Sequence, residues 1–519
     1  MTESWTNIPN TARVFLLVWV VLVALTLFFF WKKHKLFIWA LGLSVFSLAS
    51  AFALFTPFLY RWDEQFHALV GKNLSMNPFQ PILIDINPAI WQSKDWSNAN
   101  TWLHKQPFFL YQIALSIKLL GASVYAVRLP SVLLHVAGTL AIFDIGKMML
   151  NRNFGLLAAL LFSVSAFPLG LLSGRIGTDH NDSVFMIYVL LSFWAWFKMC
   201  NSEDKKWAKW IGIFVGCAIL TKWLVGLLIF APWGLWLAAN FLKKKQVDLK
   251  SFFKALGISL LITIPWQIYI FIRFPKEAKY EMEYNGRHFF EVIEGHPGDW
   301  DFHFQNAENL FFKNWLIILL LIFSFIAFLF SKRRNSLMWS FMAFSVALVY
   351  IFFSIAATKM GSFISPVFPF IIVLMIFPVA FMLEKIKQSA LKKFLYLNLF
   401  IVGLFVSLKP SEIPDNYGFV PNSENKIISD VMKAQWEFFE KNKLDDSKKL
   451  VINSDLRGHG GVSWQFVNGT KAISSIPSKK EIEDLKKSGY SIFCVQWQWG
   501  EKIPEYVLLD SSIILLQFE

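Results

Sequence analysis

Two adjacent carboxylates, Asp63 and Glu64, follow an apolar run that ends at Tyr60. A stretch with the polarity of an amphipathic helix comes directly after them. Neither membrane insertion nor core packing requires two acids at such a position, and a carboxylate there can serve as a general base toward a hydroxyl group. A simpler interpretation, in which Asp63 caps the helix that it starts by accepting backbone N–H groups, is compatible with that role and stays open.

Cationic residues recur further along the chain, at the edges of apolar runs. The positions are His104 with Lys105, Arg175 four residues before Asp179, Lys222 after Thr221, and Lys359 after Thr358. A single lysine at the end of a span is usually a snorkelling side chain. Lysines on the outer face of a membrane are less expected, however, because positive charge concentrates on the cytoplasmic side. Several cations and acids at one face therefore indicate a site that binds an anion at the depth of the lipid headgroups.

The elements that must position these residues follow from hydropathy. Of the 519 residues, 55% are hydrophobic, and the mean hydropathy is +0.46. One soluble core cannot bury that much apolar surface, whereas a bilayer accepts it. Apolar runs of span length predict an all-α polytopic membrane protein with about twelve spanning helices. The runs are residues 14–31, 36–60, 127–150, 154–172, 184–197, two within 210–241, 252–272, 312–330, 337–356, 363–383 and 395–408.

The basic clusters predict the topology. They lie at residues 32–35, 147–152, 205–209, 243–245, 332–334 and 385–393. All of them fall on one side of the membrane only if the short apolar segment 107–121 does not cross it, so we predict a re-entrant or surface-lying helix there. The N-terminus and the chain after Leu408 are then outside. No nucleic-acid partner is predicted from the net charge of +14, because the charges lie in short loops between apolar runs.

The outer side then holds two long loops, 61–126 and 275–311, and a C-terminal tail. We predict a transmembrane domain over residues 1–409 and a small extracytoplasmic α/β domain over residues 410–519. Its predicted elements are helices over 424–442 and 479–487 and strands over 450–452 and 490–495.

Neither a cofactor nor a disulfide framework is predicted. The three cysteines show no CxxC spacing. Residues 275–311 contain several histidines and glutamates, but their spacing matches no standard zinc signature. We interpret this segment as a mobile substrate-binding loop in which His288 and His296 are the best candidates for contact with substrate. A divalent metal is not indicated, and the question of metal dependence stays open.

Five motifs carry a family resemblance: Asp63-Glu64-x-x-His67-Ala68, His104-Lys105-x-Pro107, Arg128-Leu129-Pro130-Ser131, Arg175-x-x-x-Asp179 and Thr221-Lys222. Together they resemble the polyprenyl-phosphate-sugar-dependent glycosyltransferases of the GT-C fold. These enzymes are related to protein O-mannosyltransferases and to the bacterial transferase that adds aminoarabinose to lipid A. The resemblance extends to Lys359-x-x-x-Phe363, and its first two motifs are the most specific.

The resemblance implies an inverting transfer of a sugar from a polyprenyl monophosphate to a hydroxyl group of a lipid A, glycan or protein acceptor. Asp63 would be the general base, and Asp179 would line the same pocket. The residues that would hold substrate are Glu64, His104, Lys105, Arg128, Arg175, Lys222 and Lys359. The cations among them would offset charge on the departing phosphate. Asp182 is a rival for Asp179, and the resemblance alone favours Asp179.

Two other classes of function are alternatives. A transporter or flippase of lipid-linked sugars predicts charges buried near the middle of several spans and internal repeats. The chain shows few such charges and no evident repeat. A membrane anchor that presents the C-terminal domain to a partner would need only one or two spans. We therefore predict a transferase surrounded by lipids in a bacterial inner membrane, with the N-terminus and the C-terminal domain in the periplasm. That domain is hypothesised to grip the acceptor or to bind polysaccharide.

Overall fold

The computed structural model describes residues 7–86, 96–331, 333–444, 448–454, 460–498 and 502–518. The chain divides into two compact units. The first, here called the loop unit, comprises Met1–Pro9, Leu54–Pro130 and Pro414–Glu519. The second, here called the span unit, comprises Asn10–Ala53 and Ser131–Ile413. Residues 87–95 of the predicted outer loop lie outside the described residues. The predicted boundary at residue 410 stays a prediction.

The described chain is mostly helical. Its α-helices are α1 (Asn10–Trp31), α2 (Phe37–Ala53), α3 (Asp63–Met76), α4 (Phe108–Leu120), α5 (Val124–Met149), α6 (Arg152–Ser163), α7 (Ala166–Leu172), α8 (Asp179–Ser202), α9 (Trp207–Lys222), α10 (Phe230–Leu242), α11 (Leu249–Arg273), α12 (Pro275–Phe290), α13 (Phe302–Leu310), α14 (Asn314–Leu329), α15 (Arg333–Ile355), α16 (Phe368–Leu383), α17 (Ser389–Leu408), α18 (Ile413–Asn416), α19 (Glu424–Lys441), α20 (Gly460–Asn468), α21 (Lys479–Lys487) and α22 (Glu505–Leu508). Short 3₁₀ helices cover Trp96–Asn98, Trp223–Leu227 and Gly361–Val367.

Eight helices among the described residues are long and apolar enough to cross a membrane. The number rises to ten if each of two bent pairs, α6 with α7 and α13 with α14, is one span. The predicted class, a polytopic all-α membrane protein, is therefore confirmed, whereas the predicted count of about twelve also includes α2 and α10. These helices have 17 and 13 residues, and about 20 residues are needed to cross the hydrocarbon core.

The two short helices are shorter than their apolar runs for local reasons. Helix α2 ends at Ala53, and the chain up to Tyr60, which includes Pro57, is not helical. Helix α10 begins only at Phe230, because Trp223–Leu227 forms a 3₁₀ turn after α9. Hydropathy does not distinguish these non-helical segments from the helices beside them, since the side chains of both are apolar.

The C-terminal part of the loop unit contains a parallel sheet. Its strands are β1 (Lys449–Ile452), β2 (Lys471–Ala472), β3 (Ser491–Gln496) and β4 (Ile514–Gln517), in the spatial order β2-β1-β3-β4. Parallel strands need crossover connections, which α20, α21 and α22 supply. The core under the sheet includes Trp464, Val451 and Phe439. The predicted small α/β region is confirmed, and its helix over 479–487 has the predicted bounds.

Helices α3 and α4 pack against each other in the remainder of the loop unit. Their backbones approach closely at Gly71, where an added Cβ atom would lie 2.6 Å from a methyl carbon of Ile113. Helix α4 has 13 residues, which corresponds to about 20 Å and is too short to cross a bilayer. This length is consistent with the prediction that segment 107–121 does not span.

In the span unit, the almost completely buried helix α8 packs against α9, and α9 packs against α11. An added Cβ atom at Gly212 of α9 would lie 2.5 Å from the carbonyl oxygen of Ala255 in α11, so this crossing requires glycine. Residues 275–311, predicted as a mobile loop, are instead largely helical and form α12 and α13. Apolar side chains exposed on α1, such as Leu17 at 70%, are those expected to face lipid.

Candidate active site

Helix α3 begins at Asp63. The residue before it, Trp62, occupies the N-cap position and has φ 72°. Asp63 is therefore the first helical residue rather than the N-cap residue of the simpler interpretation. A carboxylate in the first turn is stabilised by the partial positive charge of the helix N-terminus. The Asp63 side chain is half-buried, so it keeps access to solvent.

Glu64, the second acid, is paired with Arg128 of α5. The guanidinium Nε lies 2.7 Å from Glu64 Oε1 and Nη2 lies 3.0 Å from Oε2, and both side chains are 0% exposed. Arg128 also donates to the carbonyl oxygens of Thr56 and Phe58, and Glu64 accepts the backbone N–H of Tyr60. The pair ties the segment before α3 to α5. The two residues were predicted to contact substrate, and the structure places them in contact with each other.

His104 and Lys105 precede α4. The His104 imidazole is stacked on the Trp96 ring, with 4.2 Å between the ring centres and 5° between the planes. It also meets the edge of Trp102 at 5.8 Å. His104 is 4% exposed, whereas Lys105 is half-buried. This predicted motif therefore consists of an oriented imidazole followed by a more accessible cation.

Helix α8 begins in a backbone conformation that residues with a Cβ atom seldom adopt. Thr178 has φ 70° and Asp179 has φ 23°. Such conformations cost about 1–3 kcal/mol and concentrate at functional sites. Hydrogen bonds hold this one in place: the Thr178 hydroxyl donates to Asp182, and Asp179 accepts the backbone N–H of His180. The His180 ring is in turn 3.0 Å from the Ser131 hydroxyl.

Lys222, at the end of α9, pairs with Asp182 rather than with Asp179. Its Nζ lies 2.5 Å from Asp182 Oδ1, and the Ser365 hydroxyl donates to the same oxygen at 3.2 Å. The Lys222 side chain is 25% exposed and that of Asp182 is 0% exposed. The ammonium also lies 5.2 Å from the centre of the Phe363 ring. Because an ammonium has three N–H donors, Lys222 combines a buried counter-ion with donors for a bound anion.

Lys359 contacts the C-terminal end of α15. Its Nζ lies 3.0, 2.7 and 2.5 Å from the carbonyl oxygens of Phe353, Ser354 and Ala356. A cation is favourable there because the helix C-terminus carries partial negative charge. The residue is 4% exposed, and burial lowers the pKa of Lys359. Its predicted contact with a phosphate stays a prediction, and these three hydrogen bonds would have to be exchanged for it.

His288 and His296 lie close to the Lys359 segment through their backbones. The carbonyl oxygen of His288 accepts the N–H of Thr358 at 3.1 Å, and that of His296 accepts the N–H of Lys359 at 3.0 Å. Both side chains are half-buried, and His288 Nδ1 lies 3.1 Å from the Tyr284 carbonyl oxygen. Arg175 is half-buried in the turn before α8. The predicted roles of these three residues stay predictions.

Three polar residues beside these side chains were not singled out from the sequence. Thr178 and Ser365 both donate hydrogen bonds to Asp182, and His303 is buried with its ring centre 6.5 Å from that of Phe363. Ser365 is 183 residues from Asp182, so no local pattern connects them. His303 belongs to the histidine-rich segment 275–311, which was the signal available for it. Within the described residues, no group of three or more His, Cys, Asp or Glu side chains is placed to hold a metal ion.

Each cluster by itself has the parts for acid–base and anion chemistry. An acid lies at the first position of a helix, and a second acid in the same turn is neutralised by a cation. The first acid can accept a proton from a hydroxyl group. A partly exposed ammonium such as that of Lys222 can bind a phosphate oxygen and stabilise charge that develops on it.

Comparison with known proteins shows similarity to sugar transferases that use lipid-phosphate donors. The family described as dolichyl-phosphate-mannose-protein mannosyltransferase matches residues 104–269. An undecaprenyl phosphate-alpha-4-amino-4-deoxy-L-arabinose arabinosyl transferase of Pseudomonas paraeruginosa is 25% identical over 209 residues, which are 38% of this chain. The aligned part spans 36% of the length of that relative.

Solved structures are similar over most of the chain. ArnT from Cupriavidus metallidurans, bound to undecaprenyl phosphate, has a TM-score of 0.56 at 13% identity, and the match covers 87% of each chain. The oligosaccharyltransferase of Archaeoglobus fulgidus has a TM-score of 0.56 at 11% identity over 88% of this chain and 69% of that one. The spans, the small C-terminal sheet and these matches together show that this multi-pass membrane protein has the GT-C glycosyltransferase fold.

Proposed function

We propose that the protein is an inverting glycosyltransferase that moves a sugar from a polyprenyl monophosphate to a hydroxyl group of an acceptor. The observation that carries this proposal is the state of the two acids at the start of α3. Glu64 is buried against Arg128, whereas the neighbouring Asp63 is half-buried in the first helical turn. Of the two, Asp63 is therefore the acid able to take a proton from a hydroxyl group.

The proposed reaction is a single displacement. Asp63 accepts the proton of the acceptor hydroxyl as that oxygen attacks the anomeric carbon of the sugar. The bond between the anomeric carbon and the phosphate oxygen breaks, and its electron pair leaves with the polyprenyl monophosphate. Attack opposite to the leaving group inverts the anomeric configuration. Because the leaving phosphate gains negative charge, the main electrostatic requirement is a cation beside it.

Lys222 is the first candidate for that cation. Its charge is held in place by Asp182, and its side chain is still one quarter exposed. Lys105 is the second candidate, because it is also half-buried and follows an oriented imidazole. We assign Asp179 to acceptor orientation or to stabilisation of positive charge on the sugar. Its strained backbone supports a functional role of this kind.

An apolar groove in the span unit suits the polyprenyl chain of the donor. It has a volume of about 270 Å³ and is lined by side chains that include Leu161, Phe311, Ile372 and Val402. Phe368 also lines it, three residues after the Ser365 that contacts Asp182. A lipid tail in this groove would thus begin near the segment that holds the Lys222 counter-ion. The undecaprenyl phosphate bound to the ArnT structure supports a donor of this class.

For the sugar and the acceptor, only the chemical class is proposed. The relatives transfer a pentose derivative or mannose, so the donor is a polyprenyl-phosphate pentose or hexose. Lipid A, a glycan or a protein is the acceptor. The distribution of basic clusters supports a reaction on the outer face of the membrane, and the similarity to bacterial proteins supports a bacterial inner membrane. No cofactor is required by this displacement, which predicts an unchanged transfer rate after treatment with EDTA.

The test is a sugar-transfer and donor-hydrolysis assay in proteoliposomes with a panel of synthetic polyprenyl-phosphate sugars. Wild type should release lipid phosphate from at least one donor, and Asp63→Asn should lower that rate by about 10²-fold or more, since general base catalysis contributes about 10²–10⁴-fold. Asp430→Asn is the matched control. Asp430 forms an exposed ion pair with Lys426, and such a pair contributes little to stability. Wild-type activity in Asp63→Asn would refute the proposed mechanism.

A further inference from the structure

A groove in the span unit lies between the end of α1 and the starts of α6 and α17. Its lining is mostly apolar and consists of Leu27, Phe30, Trp31, Leu156, Leu157, Leu160, Leu397 and Phe400. Three polar residues complete it, namely Asn153, Lys393 and Tyr396. None of the groups assigned to the displacement reaction lines this groove.

The shape of the groove suits a lipid chain that lies along the protein surface. From Lys393 to Phe400 it follows about two turns of α17, which corresponds to about 10 Å. Its enclosed volume is only about 30 Å³, so a chain would lie along the groove and not inside a cavity. Because the hydrocarbon core of a bilayer contains no water, lipid chains must cover an apolar groove between spanning helices.

Three of the basic clusters that predict the topology come together at the polar end of this groove. Trp31 directly precedes the cluster at residues 32–35, Arg152 is the first residue of α6, and Lys393 lines the groove itself. Residues 32–35 are all exposed. The positive-inside rule predicts that this end lies in the cytoplasmic leaflet, whose surface is negatively charged by anionic lipids.

Two of these cations are not neutralised by the protein. The Arg152 guanidinium lies 4.6 Å from the centre of the Phe30 ring, and this stacking leaves its N–H donors available. Neither Arg152 nor Lys393 forms an ion pair with an acid in the described part of the chain. By contrast, the neighbouring Lys392 lies 3.2 Å from a carboxylate oxygen of Glu384. The polar end of the groove therefore carries positive charge without a counter-ion.

We propose that this groove binds an anionic phospholipid with the chemistry of phosphatidylglycerol. One acyl chain lies along the apolar side chains, and the phosphate group is held by Arg152 and Lys393, with the Asn153 amide as a further donor. A zwitterionic lipid fills the same groove but offers these cations no net negative charge. The inference does not depend on the proposed transferase function, because it involves none of the reacting groups.

The test is native mass spectrometry of the full-length protein in detergent, titrated separately with phosphatidylglycerol and with phosphatidylcholine of the same acyl chains. Wild type should bind one phosphatidylglycerol about tenfold or more tightly than phosphatidylcholine. Lys393→Gln and Arg152→Gln should each weaken phosphatidylglycerol binding by about fivefold, the contribution of one cation beside an anionic membrane surface. Lys209→Gln is the matched control, since it removes one exposed lysine of another basic cluster, and it should bind like wild type.

Lys393→Gln should fold, because the residue is exposed and glutamine suits a helix as well as lysine does; its melting temperature without lipid checks this. Leu397→Trp keeps both cations but fills the apolar part, so it should also weaken phosphatidylglycerol binding. Equal affinity of wild type for the two lipids, or wild-type affinity in both charge variants, would overturn the proposal. So would wild-type affinity in Leu397→Trp, or a stable lipid-free dimer, which would place a second copy in the groove.

Discussion

The first turns of α3 and α8 each contain two acids, and in both the second acid is paired with a cation. In α3, Glu64 meets the Arg128 guanidinium, and both side chains are 0% exposed. In α8, Asp182 meets the Lys222 ammonium, which is 25% exposed. Both helices also start from a residue with positive φ that is not glycine. The two sites therefore share the same arrangement of two acids and one cation, and they differ in how far the cation is exposed to solvent.

This difference separates a positioning role from a binding role. Arg128 forms two bonds to one carboxylate and further bonds to two carbonyl oxygens, so its planar fork is occupied by protein. Lys222 has one carboxylate partner among the described residues and an exposed portion. A dry, fully bonded cation fixes the chain around it, whereas a partly exposed ammonium can exchange water for a phosphate oxygen.

The largest expected effect comes from breaking the dry pair. Arg128→Met leaves the Glu64 carboxylate buried without a counter-ion, which should cost about 3–5 kcal/mol of stability. We expect a large decrease in melting temperature in detergent and loss of transfer activity. The double variant Arg128→Met with Glu64→Gln removes the uncompensated charge and should recover much of the melting temperature. A single variant as stable as wild type would contradict the positioning role.

The next effect concerns the open pair. Lys222→Met should lower kcat/KM for the lipid-linked donor by about 10²–10³-fold, as expected when one group that stabilises developing charge is removed. Because this change also leaves Asp182 without its cation, Lys222→Met with Asp182→Asn is the control for stability. The double variant should keep the low kcat/KM. Wild-type kinetics in it would show that Lys222 only neutralises Asp182.

Lys359 differs from Lys222 in being buried and bonded to backbone carbonyl oxygens, so it provides a comparison. Lys359→Met removes three hydrogen bonds to carbonyl oxygens at the end of α15, and we expect a loss of about 1–3 kcal/mol of stability. The KM for the donor should stay within a factor of about two, since this lysine is occupied by the backbone. If KM instead rose strongly at an unchanged melting temperature, Lys359 would contact the phosphate, as the family resemblance implies.

The smallest effect is a pH dependence at the other end of α3. Lys72 Nζ lies 3.0 and 2.5 Å from the carbonyl oxygens of Gln465 and Phe466, and burial lowers the pKa of Lys72 from 10.5 to about 8. Between these values the unfolded chain binds more protons than the folded one, so the contribution of this group to stability rises with pH from 8 to 10.5.

The measurement is the difference in melting temperature between wild type and Lys72→Met. Wild type should gain relative to the variant as the pH is raised from about 7.5 to about 9.5. Below pH 8 the difference should be constant, because the lysine is then charged in both states. A difference that does not change across this range would show that the ammonium is not buried as the structure has it.

Much of the secondary structure was predictable from local patterns. Alternation and apolar runs predicted α3 after Asp63, the helix α21 and the strands β1 and β3, because each of these depends on neighbouring residues in sequence. The helices α2 and α10 are shorter than the apolar runs from which they were predicted. Apolar composition marks burial in lipid or protein, and it does not report where a backbone leaves the helical conformation.

The sequence by itself determined the class of protein and the types of residue available for chemistry. Its hydropathy required a membrane, and its motifs pointed to acids and cations of a transferase of the GT-C fold. Only the tertiary structure decided which charges are neutralised and which are accessible: Glu64 with Arg128, Asp182 with Lys222, and Lys359 with the end of α15. The reason is physical, since the cost of a charge depends on its burial and its partners, and these partners lie up to 64 residues apart in the chain.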